Sequence, residues 1–300
     1  TTDHGEDKVL QVIRTVKGNH ARGHFNQREI DVIIQEVMPE YADTGTVGII
    51  TPYRSQAEEI NKAIGTDIAS TVHKYQGREC DTIIMSTVDN APTEFSDDPN
   101  LLNVAISRAK KHLCIVTNGN DMPQDTNLAQ LVAYIQYNNF GVKESKLHSV
   151  FDLLYKQYTA ERLAYEQAHP VVSGYLSENL MFDMLAKGIA KSGLANTEVL
   201  CHYPLSRLIA DWDVLDEQEK AFAESPLTHV DFLIYNSLTK RPIQTIEVDG
   251  WHFHRENKAQ QSRDALKDRI LTKFGLCPHR ISTTDTVNEE AVMKILLATS

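Results

Sequence analysis

The chain has 300 residues, 41% of them hydrophobic and 24% charged; that allows about two domains with a packed core and excludes wholesale disorder. A formal charge of −11 excludes a uniformly basic protein that coats nucleic acid, yet leaves room for local basic patches and acidic metal sites. No window approaches the ~20 apolar residues that span a bilayer. The opening TTDHGEDKVL carries no apolar signal segment and no starting Met, so the chain reads as a piece of a longer protein with no membrane partner.

In chain order, VLQVIRTV (9–16) reads as a strand and Gln27 to Val37 as a helix, with Ile30, Ile33, Ile34 and Val37 at helical spacing. TVGIIT (46–51) is a short apolar strand followed by a helix from Ser55 to Ile64. DIAS (67–70) and DTIIMSTV (81–88) are further strands, Asn100 to Ala109 a helix, and HLCIVT (112–117) another buried strand. Continuous apolar strands alternating with helices predict a parallel sheet covered on both faces. Leu128 to Tyr137 and Val150 to Ala168 read as helices, and HisPro at 169–170 punctuates like a joint. Beyond it come a helix (177–191), a strand (197–203), an acidic helical insert (213–224) that reads equally as solvated or as a partner contact, strands (229–236 and 243–249), a helix (258–274), a strand (278–282) and a helix (287–298). These predict a mixed α/β domain with a small sheet. The organisation expected is therefore one domain over 1–120, a helical connector over 121–170 and a second domain over 171–300. Cys80, Cys114, Cys201 and Cys277 form no CxxC pair and read as free thiols of a cytoplasmic protein.

Three segments of the first domain, GIITPYRSQ (48–56), TVHKYQGRECDTIIMSTV (71–88) and LLNVAISRAKKHLCIV (101–116), place polar or charged residues at a strand end or a helix start. In open α/β sheets the carboxyl edge of the strands is where ligands bind. Order and spacing of the three resemble motifs IV, V and VI of superfamily-one helicases, the Upf/Dna-two-like branch in particular, over residues 9–118. The resemblance implies the second of two RecA-like motor domains, with ATP bound between it and a first domain. Arg108 would be the arginine finger that stabilises charge on the transferring phosphate. Gln76, Gly77, Arg78 and Glu79 would face the nucleotide, Arg54 would sit near the phosphates, and Thr71 and His73 would touch the nucleic-acid strand. No GxxxxGK[ST] loop occurs in the chain, so the ATP site is expected to be shared with a missing upstream domain. The competing reading of the arginines is surface charge on a generic sheet. Lys110, Lys111 and His112 read as a solvated helix end.

In the second domain, Asp231 alternates with apolar Val230 and Phe232 in HVDFLIYN, and Glu247 and Asp249, two apart in TIEVDGWHFH, share a sheet face. If the two strands form a hairpin, Asp231 can meet Glu247. Carboxylates on apolar strands are costly unless a cation joins them, and a hard divalent ion such as Mg²⁺ or Mn²⁺ is the natural partner. Glu178 shares a helix face with Met181, Phe182 and Leu185; Arg263 and Lys267 are i,i+4.

Order and spacing over 171–283 resemble the PD-(D/E)xK, restriction-endonuclease-like fold, and more closely the Vsr-like domains appended to superfamily-one helicases. The pieces are SENLMFDML, HVDFLIYN, IEVDGWHFH, RDALKDRIL and GLCPHRIS. The resemblance implies Mg²⁺-dependent phosphodiester hydrolysis, with Asp231 and Glu247 on the metal and Glu178 orienting water. Asp249 stands where that fold usually has Lys. Lys267 or Arg263 would supply the cation instead, and His252 or His254 would serve as acid or base. Asp249 with Gly250 is also a turn signal, Trp251 a packing residue, and HFH a weak zinc signal.

The function expected is the C-terminal part of an ATP-dependent helicase with a nuclease-like domain, acting on DNA in preference to RNA. The alternatives are an inactive nuclease fold that grips nucleic acid, and an interaction scaffold.

Overall fold

The computed structural model describes residues 9–75, 77–138, 140–250 and 258–298. The chain divides into two compact units, 1–148 and 149–300. The segment 121–170 is split between them, because its first half completes the sheet of the first unit and its second half packs in the second.

In the first unit the strands are β1 (Leu10–Arg14), β2 (Val47–Thr51), β3 (Ala69–Thr71), β4 (Cys80–Ser86), β5 (Ala109–Thr117) and β6 (Gly141–Glu144). They form one sheet in the order β3-β2-β4-β5-β1-β6, with every pairing parallel. The helices are α1 (Gln27–Val32), α2 (Met38–Glu40), α3 (Arg54–Ile64), α4 (Pro99–Arg108) and α5 (Asn127–Tyr137). The apolar runs are what a sheet covered on both faces requires: Ile50, Ile83, Met85, Leu113 and Ile115 pack with Leu101, Leu102, Leu128 and Ile135 of α4 and α5. β6 was not foreseen, since GVKE has no strand pattern of its own; its register against β1 makes it a strand.

Three local expectations change for physical reasons. The helix expected over 27–37 opens into a π turn at Ile33–Val37 before α2. The strand expected at 67–70 starts two residues later, because Asn61 Oδ1 accepts the N–H groups of Ile68 and Ala69. Lys110 and Lys111 do not end a helix: α4 stops at Arg108, and both lysines open β5 in ion pairs with Glu79 at 3.6 Å and Asp81 at 2.9 Å.

In the second unit, α6 (Thr159–Ala168) and α7 (Leu176–Ser192) precede β7 (Thr197–Pro204), α8 (Glu217–Glu224), β8 (His229–Asn236), β9 (Pro242–Asp249), α9 (Lys258–Lys273), β10 (His279–Ser282) and α10 (Glu289–Leu297). The sheet order is β10-β9-β8-β7, antiparallel except for β9 with β10. One face carries Leu180, Met181 and Leu185 of α7 and Val292 and Leu296 of α10 against Phe232, Ile234 and Ile246. The other packs Ile270 and Leu271 of α9 and Ala223 of α8 against Val230 and Leu233.

The single helix expected over 150–168 is broken. Two 3-10 turns, Val150–Leu154 and Lys156–Tyr158, flank an extended Tyr155 before α6 begins. A capping box between Ser149 and Asp152 starts the first turn, and the side chains of Phe151 and Tyr155 are buried. The acidic insert is not wholly solvated. Glu219 is fully buried and accepts from Arg269 Nε at 2.8 Å and Lys273 Nζ at 2.6 Å, so α8 docks on α9 through charge as well as apolar contact. No described helix is long and apolar enough to cross a membrane.

Behind the carboxyl edge of the first sheet, Glu29 is fully buried and accepts from Ser86 Oγ at 2.6 Å, Val88 N at 2.9 Å and Thr87 Oγ1 at 3.2 Å. Burial outweighs these donors and pushes its carboxyl from the ordinary 4.5 up to about 7. Folded Glu29 thus holds its proton more tightly than unfolded Glu29. The resulting stabilisation is complete below about pH 4.5 and is lost as the pH rises through about 7. At 1.36 kcal/mol per unit the loss is roughly 3 kcal/mol. Chemical denaturation of wild type and Glu29→Gln from pH 4.5 to 8 should show wild type losing about that much relative to the variant; a pH-independent difference would contradict the assignment.

Candidate active site

In the first unit, Arg54, Thr71, Arg78 and Glu79 line one open cleft of about 800 Å³ along α3 and the β3 edge. Thr71 ends β3, and His73 is exposed on the 3-10 turn that follows. Gly48 of β2 leaves the space filled by the Tyr75 hydroxyl, because a Cβ there would overlap that oxygen. Tyr75 Oη in turn lies 3.1 Å from Cys80 Sγ on the cleft wall. Gly77 takes φ +84, leading the chain into Arg78 and Glu79. Gln76 lies outside the described residues. Arg54 pairs with Glu58 at 2.6 Å on the exposed start of α3.

The motif residues do not all sit at the carboxyl edge, as expected from the strand-end pattern. Arg54 and Thr71 do, but Gly77, Arg78 and Glu79 precede β4 and Arg108 precedes β5. The register Cys80↔Ala109 makes Glu79 and Arg108 neighbours at the amino edge of those strands. Arg108 is not among the residues lining the cleft. Its Nε is buried with no hydrogen-bond partner. The carboxyl edge is occupied by the Glu29 network. Val88, fully buried and β-branched, takes φ +72 there; Glu29 accepts its N–H, and Asn26 Nδ2 donates to its carbonyl at 2.8 Å.

In the second unit, Glu178, Asp231, Glu247, Asp249, Arg263 and Lys267 all line one cleft of about 480 Å³. The antiparallel register Phe232↔Ile246, carried one step further, sets Asp231 opposite Glu247, and Asp231 Oδ2 accepts the Val248 N–H at 2.8 Å. Glu247 is 3% exposed. Its Oε2 accepts from Lys267 Nζ at 2.6 Å, and its Oε1 is buried with no hydrogen-bond partner. Burial, opposed by Lys267 and assisted by the Asp231 charge, pushes the Glu247 carboxyl up to about 7. Burial also raises Asp231, against the Val248 N–H and Lys267.

Asp249 does not stand beside Glu247 as an equivalent group. Both of its oxygens accept from Arg280 Nη1, at 2.9 and 3.2 Å, and Arg280 also reaches Asp268 at 2.7 Å. Arg263 lies over the Phe222 ring at 6.0 Å. Glu178 faces inward from the first turn of α7, where it accepts from Ser173 Oγ and lies 2.6 Å from His202 Nε2. Trp251, His252 and His254 lie outside the described residues.

Three residues at this site were not anticipated. His229 lines the cleft two positions before Asp231, and burial pushes its imidazole below the usual range. Period-2 alternation from Asp231 was the available signal. Cys201 and His202, on β7, reach Glu178. Nothing in LCHYP marked them, because their convergence depends on a φ of +51 at His202.

The Lys267–Glu247 pair can be tested directly. Removing the cation from a buried pair leaves the carboxylate uncompensated, at a cost of about 3–5 kcal/mol. Lys267→Met should lower the denaturation midpoint of the second unit at pH 8, and adding Glu247→Gln should restore most of the loss. Equal stability of Lys267→Met and wild type at that pH would refute the pairing.

Two family models match the chain. One, described as an AAA domain, covers residues 9–120. The other, described as a protein of unknown function (DUF2726), covers residues 174–298. Among curated proteins, the chain is 41% identical over 92 residues to the DNA replication ATP-dependent helicase/nuclease JHS1 of Arabidopsis thaliana, covering 28% of this chain and 7% of that protein. It is 32% identical over 126 residues to helicase sen1 of Schizosaccharomyces pombe, covering 36% and 8%. To the uncharacterized ATP-dependent helicase MJ0104 of Methanocaldococcus jannaschii it is 29% identical over 122 residues, covering 39% and 18%. The matches thus span less than a fifth of the length of each of these relatives. The AAA-domain match lies within the first unit, whose six-stranded parallel α/β sheet is consistent with a RecA-like domain, and the relatives make the chain similar there to the C-terminal domains of superfamily-one helicases.

Proposed function

We propose that the chain is the C-terminal part of an ATP-dependent helicase whose second unit is a metal-dependent nuclease of PD-(D/E)xK type, cutting DNA in preference to RNA. The observation that supports the nuclease most strongly is Glu247 Oε1, a buried carboxylate oxygen without a hydrogen-bond partner in a cleft that also holds Asp231. An orphaned hard oxygen is costly to bury unless a ligand completes it. Asp231 and Glu247 fit Mg²⁺ or Mn²⁺, since both offer carboxylate oxygen. Such an ion, when bound, supplies positive charge for polarising a phosphate and activating water.

The chain's own groups do the rest. Lys267, anchored on Glu247, holds an ammonium where negative charge develops on the phosphate. His229, biased by burial towards the neutral ring, can accept a proton from water. Glu178, held at the cleft wall by Ser173 and His202, would orient water. Arg280 pins Asp249, so that Asp249 shapes the cleft.

In the first unit, Arg108 would act as the arginine finger of an ATP site completed by an upstream RecA-like domain, with Arg54, Gly77, Arg78 and Glu79 facing the nucleotide and Thr71 and His73 the strand. The buried, unpartnered Nε of Arg108 supports this, because a guanidinium nitrogen kept from water fits an anion that arrives later.

One observation favours a second reading, an inactive fold that grips nucleic acid: Lys267 already occupies Glu247 Oε2 at 2.6 Å, where a metal ion would otherwise bind. Cleavage of single-stranded and duplex DNA in Mg²⁺ or Mn²⁺ decides between them. Glu247→Ala and Asp231→Asn should each lose on the order of 100-fold or more in rate, and cleavage unchanged by Glu247→Ala removes the site. Salt-dependent binding without cleavage is the outcome for the second reading. In the full-length protein, Arg108→Ala should lower the ATPase kcat by at least about 10³-fold; an unaltered kcat rules out the finger.

A further inference from the structure

Cys201 and His202 are adjacent on β7, and in a regular strand adjacent side chains point to opposite faces. They do not do so here. Val199 and Cys201 both pack with the α7-side core, as alternation requires, but Tyr203 packs with the opposite core. Across the ladder, Phe232 lies with Cys201 and Val230 with Tyr203, while the pairing sum stays constant from Cys201↔Phe232 to Tyr203↔Val230. Both strands therefore cross from one face to the other at this level with no inserted residue. The crossing is made by His202, whose φ of +51 lies in the left-handed region. That conformation costs a non-glycine residue about 1–2 kcal/mol.

The consequence is chemical. Cys201 Sγ, an imidazole nitrogen of His202 and a carboxylate oxygen of Glu178 all lie within 4.8 Å of one another. Glu178 comes from the buried face of α7 and is 8% exposed, whereas the His202 side chain is 35% exposed and open to an incoming ion. Asp231 and Glu178 add negative charge at Cys201.

We propose that Glu178, Cys201 and His202 bind a borderline divalent transition metal of the zinc class, distinct in chemistry from the all-carboxylate Asp231–Glu247 pair. Thiolate, imidazole and carboxylate together are the donors zinc takes, and Mg²⁺ does not select sulfur. Three protein donors leave a fourth position for water or a phosphate oxygen. Bonds of about 2.0–2.3 Å set tetrahedral donors roughly 3.3–3.8 Å apart. The Glu178–His202 contact of 2.6 Å must then open, and the ion takes the place of the shared proton. The thiol proton is released as well, since metals bind the thiolate.

Cobalt(II) titration of the whole chain tests this, because a thiolate on cobalt gives a charge-transfer band in the near ultraviolet. A Cys277→Ser background removes the exposed thiol. The band should form, be displaced by Zn²⁺, and survive millimolar Mg²⁺ and the substitution Glu247→Gln. Cys201→Ser should abolish it. His202→Gly keeps the backbone conformation at lower cost, which offsets the lost contact with Glu178, so it should still fold while binding on the order of 100-fold more weakly. No band in the parent protein, a band that persists in Cys201→Ser, or displacement by Mg²⁺ overturns the site. Survival of the band in Glu247→Gln separates this result from failure of the Asp231–Glu247 reading.

Discussion

A carboxylate that is 3% exposed cannot stay charged without a cation, and in the second unit that cation is Lys267, 2.6 Å from Glu247. This one contact ties α9 to β9. Two more ties act along the same helix, Asp268 to Arg280 at 2.7 Å and Lys273 to Glu219 at 2.6 Å. Apolar burial alone is thin there: Ile270 and Leu271 are the fully buried side chains of α9 among the described residues. A buried ion pair contributes little net stability compared with an apolar pair of the same volume. Its retention at the cleft is better explained by what it positions, an ammonium and an unpartnered carboxylate oxygen facing the same space.

The first unit distributes its polar groups in two ways. At the carboxyl edge, Glu29, Asn26, Gln56 and Ser86 satisfy one another and hold the strained Val88. Each such bond contributes about 1 kcal/mol, and the strain costs about 1–3 kcal/mol, so the network can maintain it. Around Arg108, at the amino edge of β5, the guanidinium Nε lacks a partner. Leaving a buried donor unsatisfied costs about 1–3 kcal/mol. The Glu29 network is architecture, whereas Arg108 Nε is one of three buried polar side-chain atoms left without a partner among the described residues of the first unit, with Arg14 Nε and Thr51 Oγ1.

Much of the fold was legible because apolar periodicity is strong in the buried strands: IIMS and LCIV can be little else, and β8 falls where HVDFLIYN placed it. The Asp231–Glu247 pairing followed from alternation and a short turn. What was hidden depended on side chains that act on backbone far away in sequence. Asn61 shortened β3, Ser149 and Asp152 broke a long helix, and Glu219 left the solvent because Arg269 and Lys273, fifty residues on, required it. The position of Arg108 was visible as a motif, but its edge of the sheet was not, since a helix running back across the sheet ends at the amino side. Asp249 was paired by Arg280, a residue whose sequence context, PHRIS, gave no hint of charge exchange across β9 and β10.

Of the four described non-glycine residues with positive φ, Val88 and His202 differ in what holds them. At Val88 both backbone groups are claimed by neighbouring side chains, so the strain is supported from outside and the residue's own side chain merely fills the core. At His202 the side chain itself makes the compensating contact, with Glu178. A charge-assisted bond of that kind contributes about 1.5–3 kcal/mol, which is comparable with the cost of the conformation. Glycine would adopt the same backbone without that cost and without the imidazole. Backbone economy favours glycine at this position, so the presence of histidine is explained by what its ring meets: a carboxylate and a thiol that no regular strand would bring to one point.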